Sequence, residues 1–590
     1  MHAHSTERPA IATRENRGSG TVVAPHDQAV QAGLAMYERG GNAVDAAVAA
    51  ALVSGVIEPT ETTLAGSGFA ILAEEGREPV EIDFGPTAPL AASPGMFELE
   101  EPGRGAEPAV LGLAPVVGNA NVDGPLASGV PRTLLGLTTA QERFGALPRE
   151  AVFGPAIEAA HSGYRPDAWH ITAALSDIER LRADPMARRV FLDDRGLPKG
   201  AATAAGYGRT FGEYPPIMQP ELGRTLELVA DRGADCLTRG EIAEALAASS
   251  RERGGILAAE DLERSAPRIR EARLLRYREA VVAASHAPSG ALTELQALAI
   301  WQRARPEPAL PADSGEGLRA LSLALRHAFA DRYHWLGDQA LRPVPVDELL
   351  SDEYAAELAR LVEQGQDVLG WAAGAPWLTY ASHAVHDPWR HAGEDAETPV
   401  WRPAGANGPT SGTTHVSAAD AEGRVISITH TAANHFGSGI VCPRTGLLLD
   451  SSMAWFNAAP GAANSIAPGA RALANMGPVV VLHGDGTKSA IGASGGRRIV
   501  SAVAQLVIAL VDGGMTAADA LATPRIDASG PSLILPQSLQ RHAGRVSDLG
   551  LRIIPESNDP YPMDFSRPNI ARALGDGRTE SAIAASQHNS

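Results

Sequence analysis

Apolar positions recur at helical spacing over 27–38 and again over 43–54, which predicts two Ala-rich helices. Gly40-Gly41 separates them, and Asn42 stands where an N-cap side chain would take up the first free N–H groups of the second. Segments 70–72 and 80–84 read as short strands flanking a charged turn, and 100–126 is a Gly/Pro-rich loop without period. From 132 to about 380 the spacing is mostly helical, with helices over 150–162, 167–183, 220–232, 240–253, 290–303, 316–336 and 347–364. Residues 384–412 are poor in apolar side chains and rich in Gly, Pro, Asp and Glu, the composition of a linker.

At Thr413 the period changes to two. Segments 413–418 and 425–431 predict paired strands around Asp420-Ala421-Glu422-Gly423, and 479–483 with 489–491 a second pair across Gly484-Asp485-Gly486. An apolar helix over 497–512 follows. Helices in the first part and strands at both ends predict a layered α+β fold. The chain divides into a disordered terminus over 1–20, a first region over 21–383, the linker, and a second region over 413–590.

Charge narrows the partners. Against 50 Lys+Arg stand 69 Asp+Glu, and a net charge of −19 repels phosphate backbones, which argues against nucleic acid. Two cysteines, Cys236 and Cys442, exclude a disulfide scaffold and fit a reduced, cytoplasmic protein. No apolar leader is visible, and the stretch 43–57 carries Asp45 and is too short to span a membrane. No metal or cofactor motif is expected: His2 and His4 read as a tag-like terminus, and Gly484 to Lys488 lacks the spacing of a phosphate loop.

Two places carry candidate chemistry. The linker meets the strand at Ser411-Gly412-Thr413-Thr414-His415. Cleavage of the Gly412–Thr413 bond would give Thr413 a free α-amine of reference pKa ~7.7–8.0, so one residue would supply both nucleophile and base. The same residues also fit an ordinary strand start, because Thr favours strands. Gly492-Ala493-Ser494-Gly495-Gly496 admits three readings: a turn of small residues, an oxyanion hole of Gly N–H groups, or a nucleophile elbow with Ser494, Asp527 and His542 in chain order.

Taken together, the motifs resemble the γ-glutamyltranspeptidase family of N-terminal nucleophile hydrolases over nearly the whole chain. The resemblance rests on Gly40-Gly41-Asn42-Ala43-Val44-Asp45-Ala46-Ala47, Glu58-Pro59 with Gly66-Ser67-Gly68-Phe69, Ile82-Asp83-Phe84 with Ala88-Pro89, and Ser128-Gly129-Val130-Pro131. It continues through Gly254-Gly255-Ile256, Ala330-Asp331-Arg332, Thr413-Thr414-His415, Phe436-Gly437-Ser438-Gly439-Ile440-Val441, Gly495-Gly496 and Ala522-Thr523-Pro524-Arg525-Ile526. It implies a four-layer αββα sandwich and self-cleavage before Thr413, giving two chains, 1–412 and 413–590, of one precursor; a dimer of such pairs stays open. It further implies Thr413 as nucleophile, Thr431 as the Thr that orients it, and Gly495 and Gly496 as oxyanion donors.

Departures from the family pattern concern the glutamate readers. The family's carboxylate-binding Arg is Gly85 here, its paired Ser residues are Ala474 and Asn475, its amine-binding positions are Ser452 and Trp455, and an Asn after the second Thr is Ala433. His430, Asn434, His435 and Trp455 fall where the family places its pocket. The expected function is an autoprocessed Thr hydrolase acting on a small amide or acyl substrate other than a normal γ-glutamyl donor. Alternatives are a C–C bond hydrolase of antibiotic biosynthesis, a serine hydrolase using Ser494, and an unprocessed binding protein.

Overall fold

The computed structural model describes residues 11–17, 19–100, 115–201, 216–342, 344–367, 412–530, 532–549, 552–556 and 566–584. Its first organising element is the helix Ala43–Ile57, every residue of which is buried. Asn42 Oδ1 accepts from the N–H groups of Val44 (2.8 Å) and Asp45 (3.1 Å), and Asp45 Oδ2 accepts from Asn42 N at 3.0 Å. This reciprocal cap explains how an otherwise apolar helix carries an acid at its buried start.

Among the described residues, fifteen strands are numbered in chain order. Those before the linker are β1 (Ile11–Arg17), β2 (Gly20–Val23), β3 (Ser67–Ala73), β4 (Val80–Phe84), β5 (Arg268–Glu271), β6 (Arg273–Tyr277) and β7 (Ala280–Ala284). Those after it are β8 (Thr414–Asp420), β9 (Val425–Thr431), β10 (Val479–Leu482), β11 (Lys488–Ser494), β12 (Ser532–Pro536), β13 (Arg552–Glu556), β14 (Arg567–Ala573) and β15 (Arg578–Ala584). One antiparallel sheet runs β2-β8-β9-β3-β4-β5 and another β1-β15-β14-β11-β10-β7-β6; β12 and β13 form a separate pair. The two large sheets face each other across small aliphatic side chains, with Val23, Ile71, Ala419 and Val425 against Ala283, Val480, Ala490 and Ala571. Outside the first sheet, Ala43–Ile57 packs on Ile426 and Ile428. Outside the second lie the helices Ala291–Ala304, Gly315–Trp335 and Arg498–Val511. The result is the αββα sandwich expected from the resemblance. Both sheets draw strands from either side of Gly412, so the two regions of the chain share each sheet.

Several sequence expectations change. Residues 11–17, placed within a disordered terminus, form β1, which pairs with β15 along its length. The stretch 268–284, included in the helical part, is three strands. Its Arg side chains suit a helix as well as a sheet edge, and both β5 and β6 are edge strands, where charge blocks further pairing. The helix over 167–183 is broken at Asp177 into Ala168–Ser176 and Ile178–Ala183. The linker over 384–412 lies outside the described residues except for Gly412. Among the described residues, no helix is long and apolar enough to cross a membrane.

Candidate active site

Thr413 and Thr431 meet at the carbonyl of Gly412. Thr413 immediately precedes β8 and Thr431 ends β9, and the two strands are antiparallel neighbours. Thr413 Oγ1 lies 2.7 Å from Gly412 O and 3.3 Å from Thr431 Oγ1. Thr431 Oγ1 also donates to Gly412 O, while accepting from the N–H of Ala433 at 2.8 Å. Two hydroxyls therefore converge on one buried peptide carbonyl.

Backbone shape makes this possible. A Cβ on Gly412 would stand 2.2 Å from Thr60 O, and one on Gly66 would stand 1.9 Å from Thr431 O. Ala433 has φ +72°, a left-handed conformation that costs a non-glycine residue on the order of 1 kcal/mol and aims its N–H at Thr431.

The Thr413 N–H donates to Glu61 Oε2 at 3.1 Å. Glu61 Oε1 accepts from Trp169 Nε1 at 2.8 Å and from Arg567 Nη2 at 3.0 Å. The sequence reading missed these three residues, which come from a turn, a helix and a strand far apart in the chain. Only the placement of an acid two residues after Pro59, in a segment bound for the interior, offered a signal.

Arg567 stands opposite Ser494 in the β14–β11 register. Gly495 and Gly496 follow Ser494 at the end of β11, with φ +131° and +61°, values that favour glycine. Their carbonyls start the next helix by accepting from Arg498 and Ile499, and no hydrogen bond among the described residues uses either N–H. These donors thus open at the end of β11 whose strand partner reaches Glu61.

The serine-elbow alternative does not assemble. Asp527 accepts from Ser501 Oγ and Ser529 Oγ, His542 Nε2 accepts from Arg541, and no hydrogen bond among the described residues links Ser494 to either. β11 is also flanked by antiparallel strands on both sides, unlike the parallel setting of an elbow.

The expected pocket residues separate. His430 lies on the opposite face of β9 from Thr431, bonded through Nδ1 to Thr62 Oγ1 at 2.7 Å, because side chains alternate along a strand. His415 is held by Thr429 and Ser417. Burial pushes both imidazoles down to about 3, so both are neutral at ordinary pH. His435 packs edge-on against Trp169, with Nδ1 3.9 Å from Asp177, and burial lowers its pKa as well. Asn434 donates to Ser451 Oγ at 2.9 Å, and Ser452 lies against Gly129.

The remaining positions sit among buried apolar side chains. Trp455, Ala474 and Ala433 share a buried cluster with Phe69, Met453 and Met476. A Cβ on Gly85 would stand 2.5 Å from Arg471 Nη2. That guanidinium is paired through both terminal nitrogens with Asp83. Burial favours the protonated Asp83, but Arg471 outweighs it and holds the carboxyl down to about 2. Asn475 Oδ1 accepts from the buried Arg332 at 2.9 Å. Among the described residues, no group of three or more His, Cys, Asp or Glu side chains could hold a metal ion.

The family model for gamma-glutamyltranspeptidase matches residues 29–537. The chain belongs to the gamma-glutamyltranspeptidase family. It is 30% identical over 522 residues to a glutathione hydrolase proenzyme of Pseudomonas sp. (strain A14), covering 86% of this chain and 81% of that one. It is also 30% identical over 536 residues to the acylase ACY 1 proenzyme of Pseudomonas sp. (strain SE83), covering 90% and 86%. Among solved structures, the cephalosporin acylase of Bacillus halodurans superposes with a TM-score of 0.75 at 21% identity, over 100% of this chain and 97% of that one. That last likeness concerns the fold. As a gamma-glutamyltranspeptidase family member with acylase and glutathione hydrolase relatives, the protein is an enzyme of the N-terminal nucleophile hydrolase type.

Proposed function

We propose that the protein is a self-processing Thr hydrolase that forms an acyl-enzyme on Thr413 from a small amide or acyl substrate lacking the α-amino-acid head of glutamate. The observation that carries this reading is the convergence of the Thr413 and Thr431 hydroxyls on Gly412 O. In maturation, Thr413 Oγ1 attacks the Gly412 carbonyl carbon while Thr431 stabilises the developing oxyanion. The C–N bond breaks with a proton passing to nitrogen, leaving an ester and a free α-amine. Water then hydrolyses the ester to a Gly412 carboxylate and restores the hydroxyl.

In turnover the freed amine takes the Thr413 hydroxyl proton as Oγ1 attacks the substrate carbonyl. Gly495 and Gly496 N–H groups stabilise the oxyanion, and collapse expels the leaving group with the proton from the ammonium. Water, deprotonated by the same amine, releases the acid. The names of the relatives, which include proenzymes and acylases, support this reading. So does the buried apolar cluster around Phe69, Trp455 and Ala474, whose character suits an acyl group without charged substituents.

N-terminal sequencing of the purified protein tests it: a second chain beginning at Thr413 is expected. Gly412→Ala should slow maturation by roughly 10²-fold, because a Cβ 2.2 Å from Thr60 O displaces the scissile carbonyl from both hydroxyls. A time course on a denaturing gel reads this directly, and maturation at the wild-type rate would remove the geometric basis of the proposal.

A further inference from the structure

The group facing the Thr413 nitrogen is a buried carboxylate, Glu61, 2% exposed. It sits in the turn that follows the helix Ala43–Ile57, and its own carbonyl accepts from Ala432 N at 3.2 Å, which ties it to the end of β9. One oxygen takes the Thr413 N–H; the other takes Trp169 Nε1 and Arg567 Nη2. Arg567 also stands 5.6 Å over the Trp169 ring. We propose that Glu61 is a further catalytic residue that holds the freed α-amine of Thr413 and tunes its basicity, with Arg567 and Trp169 as the residues that position and balance it. The inference rests on the Thr413 reading above.

A carboxylate at hydrogen-bond distance does two things to an amine. It accepts one N–H, which fixes the amine's rotation and directs its lone pair elsewhere, toward Oγ1. It also stabilises the ammonium, which raises the amine pKa by ~1–3 units when nothing opposes it. From a reference of ~7.7–8.0, that rise would leave the base protonated at neutral pH. Arg567 supplies the opposition. Its positive charge on Oε1 draws Glu61's charge away from the amine, and Trp169 donates to the same oxygen. Removing Glu61 should therefore lower the amine pKa, and removing Arg567 should raise it.

Other ionisable groups around the amine stay in place in these variants, although His435 feels both Glu61 and Arg567. Glu58 accepts from Thr414 Oγ1 at 3.2 Å on the same turn. His430 and His415 are neutral, bonded to Thr62 and Thr429. His435 lies behind Trp169 with Asp177, which pairs with Arg180.

The test measures the amine itself. Mature protein is trace-labelled with acetic anhydride across a pH series, and acetylation of the Thr413 α-amine is read by mass spectrometry of the N-terminal peptide of the second chain. Relative to wild type, the Glu61→Gln midpoint should fall by about one unit or more, the Arg567→Met midpoint should rise by a similar amount, and Trp169→Phe should give a smaller rise. A Glu61→Gln midpoint that stays or rises, or an Arg567→Met midpoint that falls, overturns the inference. If Glu61→Gln stays a single chain, the two variants that keep the carboxylate decide, and both must rise. If all three fold but remain single chains, the unit serves cleavage alone and the proposed role is wrong. A wild-type protein with no labelled Thr413 amine would instead sink the Thr413 reading.

Discussion

Thr413→Ala protein is expected to purify as one folded chain without turnover, where wild type separates into chains of residues 1–412 and 413–590. The substitution removes the hydroxyl and one methyl group. The backbone N–H remains bonded to Glu61, and the apolar contacts between the two sheets are untouched. Loss of the nucleophile should lower kcat by on the order of 10⁴–10⁶-fold, the range for removing a member of a catalytic unit. Thr431→Val keeps the shape but leaves Ala433 N–H without its acceptor and takes one donor from Gly412 O, so it should mature roughly 10²–10³-fold more slowly. Ser494→Ala should mature and turn over normally. Denaturing gels over time, with circular dichroism to verify folding, make the measurement. An intact wild-type chain that still turns over substrate would end the N-terminal nucleophile mechanism. Activity lost only in Ser494→Ala would return the serine reading.

The parts of this site that local pattern specifies were legible beforehand. Alternation placed β9 at 425–431 with both ends as found, and the Asn42 cap fixed the start of the buried helix. The same alternation carried information the sequence reading did not use: His430, next to Thr431, had to face the other way. What was not legible arises from long-range assembly. Glu61, Trp169 and Arg567 each look ordinary in their own segments and become a unit only when the turn after the first buried helix, a peripheral helix and β14 close around Thr413. Arg471 is a similar case. Gly85 marked a lost side chain, but not that the guanidinium of a residue far along the chain packs into the space and pairs with Asp83. Strands β5 and β6 escaped because edge strands carry charges that break the apolar signal.

That packing bears on specificity, where the second large effect is expected. A γ-glutamyl substrate presents an α-carboxylate and an α-ammonium beside the reacting acyl group. At the positions expected from the family pattern neither meets an uncommitted charged side chain, and the Ser452 hydroxyl is left there as a neutral hydrogen-bonding group. Gly85 offers no side chain, Ala474 none that hydrogen-bonds, and the oxygen of Asn475 is taken by Arg332. Arg471 lies beside Gly85, but both its terminal nitrogens are engaged with Asp83 in a buried pair. Trp455 and Ala433 add apolar surface where a charged head would lose its water. Removing one partner of a buried charge pair costs ~2–5 kcal/mol, and at ~1.4 kcal/mol per decade this lowers kcat/KM by roughly 10- to several-thousand-fold. Mature enzyme should therefore hydrolyse a γ-glutamyl anilide and glutathione poorly and prefer simple acyl analogues without the amino-acid head, with oxalyl and glutaryl analogues, which keep one carboxylate, falling between. Gly85→Arg alone should not restore γ-glutamyl hydrolysis, since its Cβ already meets Arg471 Nη2 at 2.5 Å and Phe69 at 2.4 Å. The measurement is kcat/KM across that series with fully processed wild type and Gly85→Arg. A γ-glutamyl substrate that wins in wild type at ~10⁴ M⁻¹s⁻¹ or above would mean that other residues read the glutamate head, and the apolar reading of this pocket would fall.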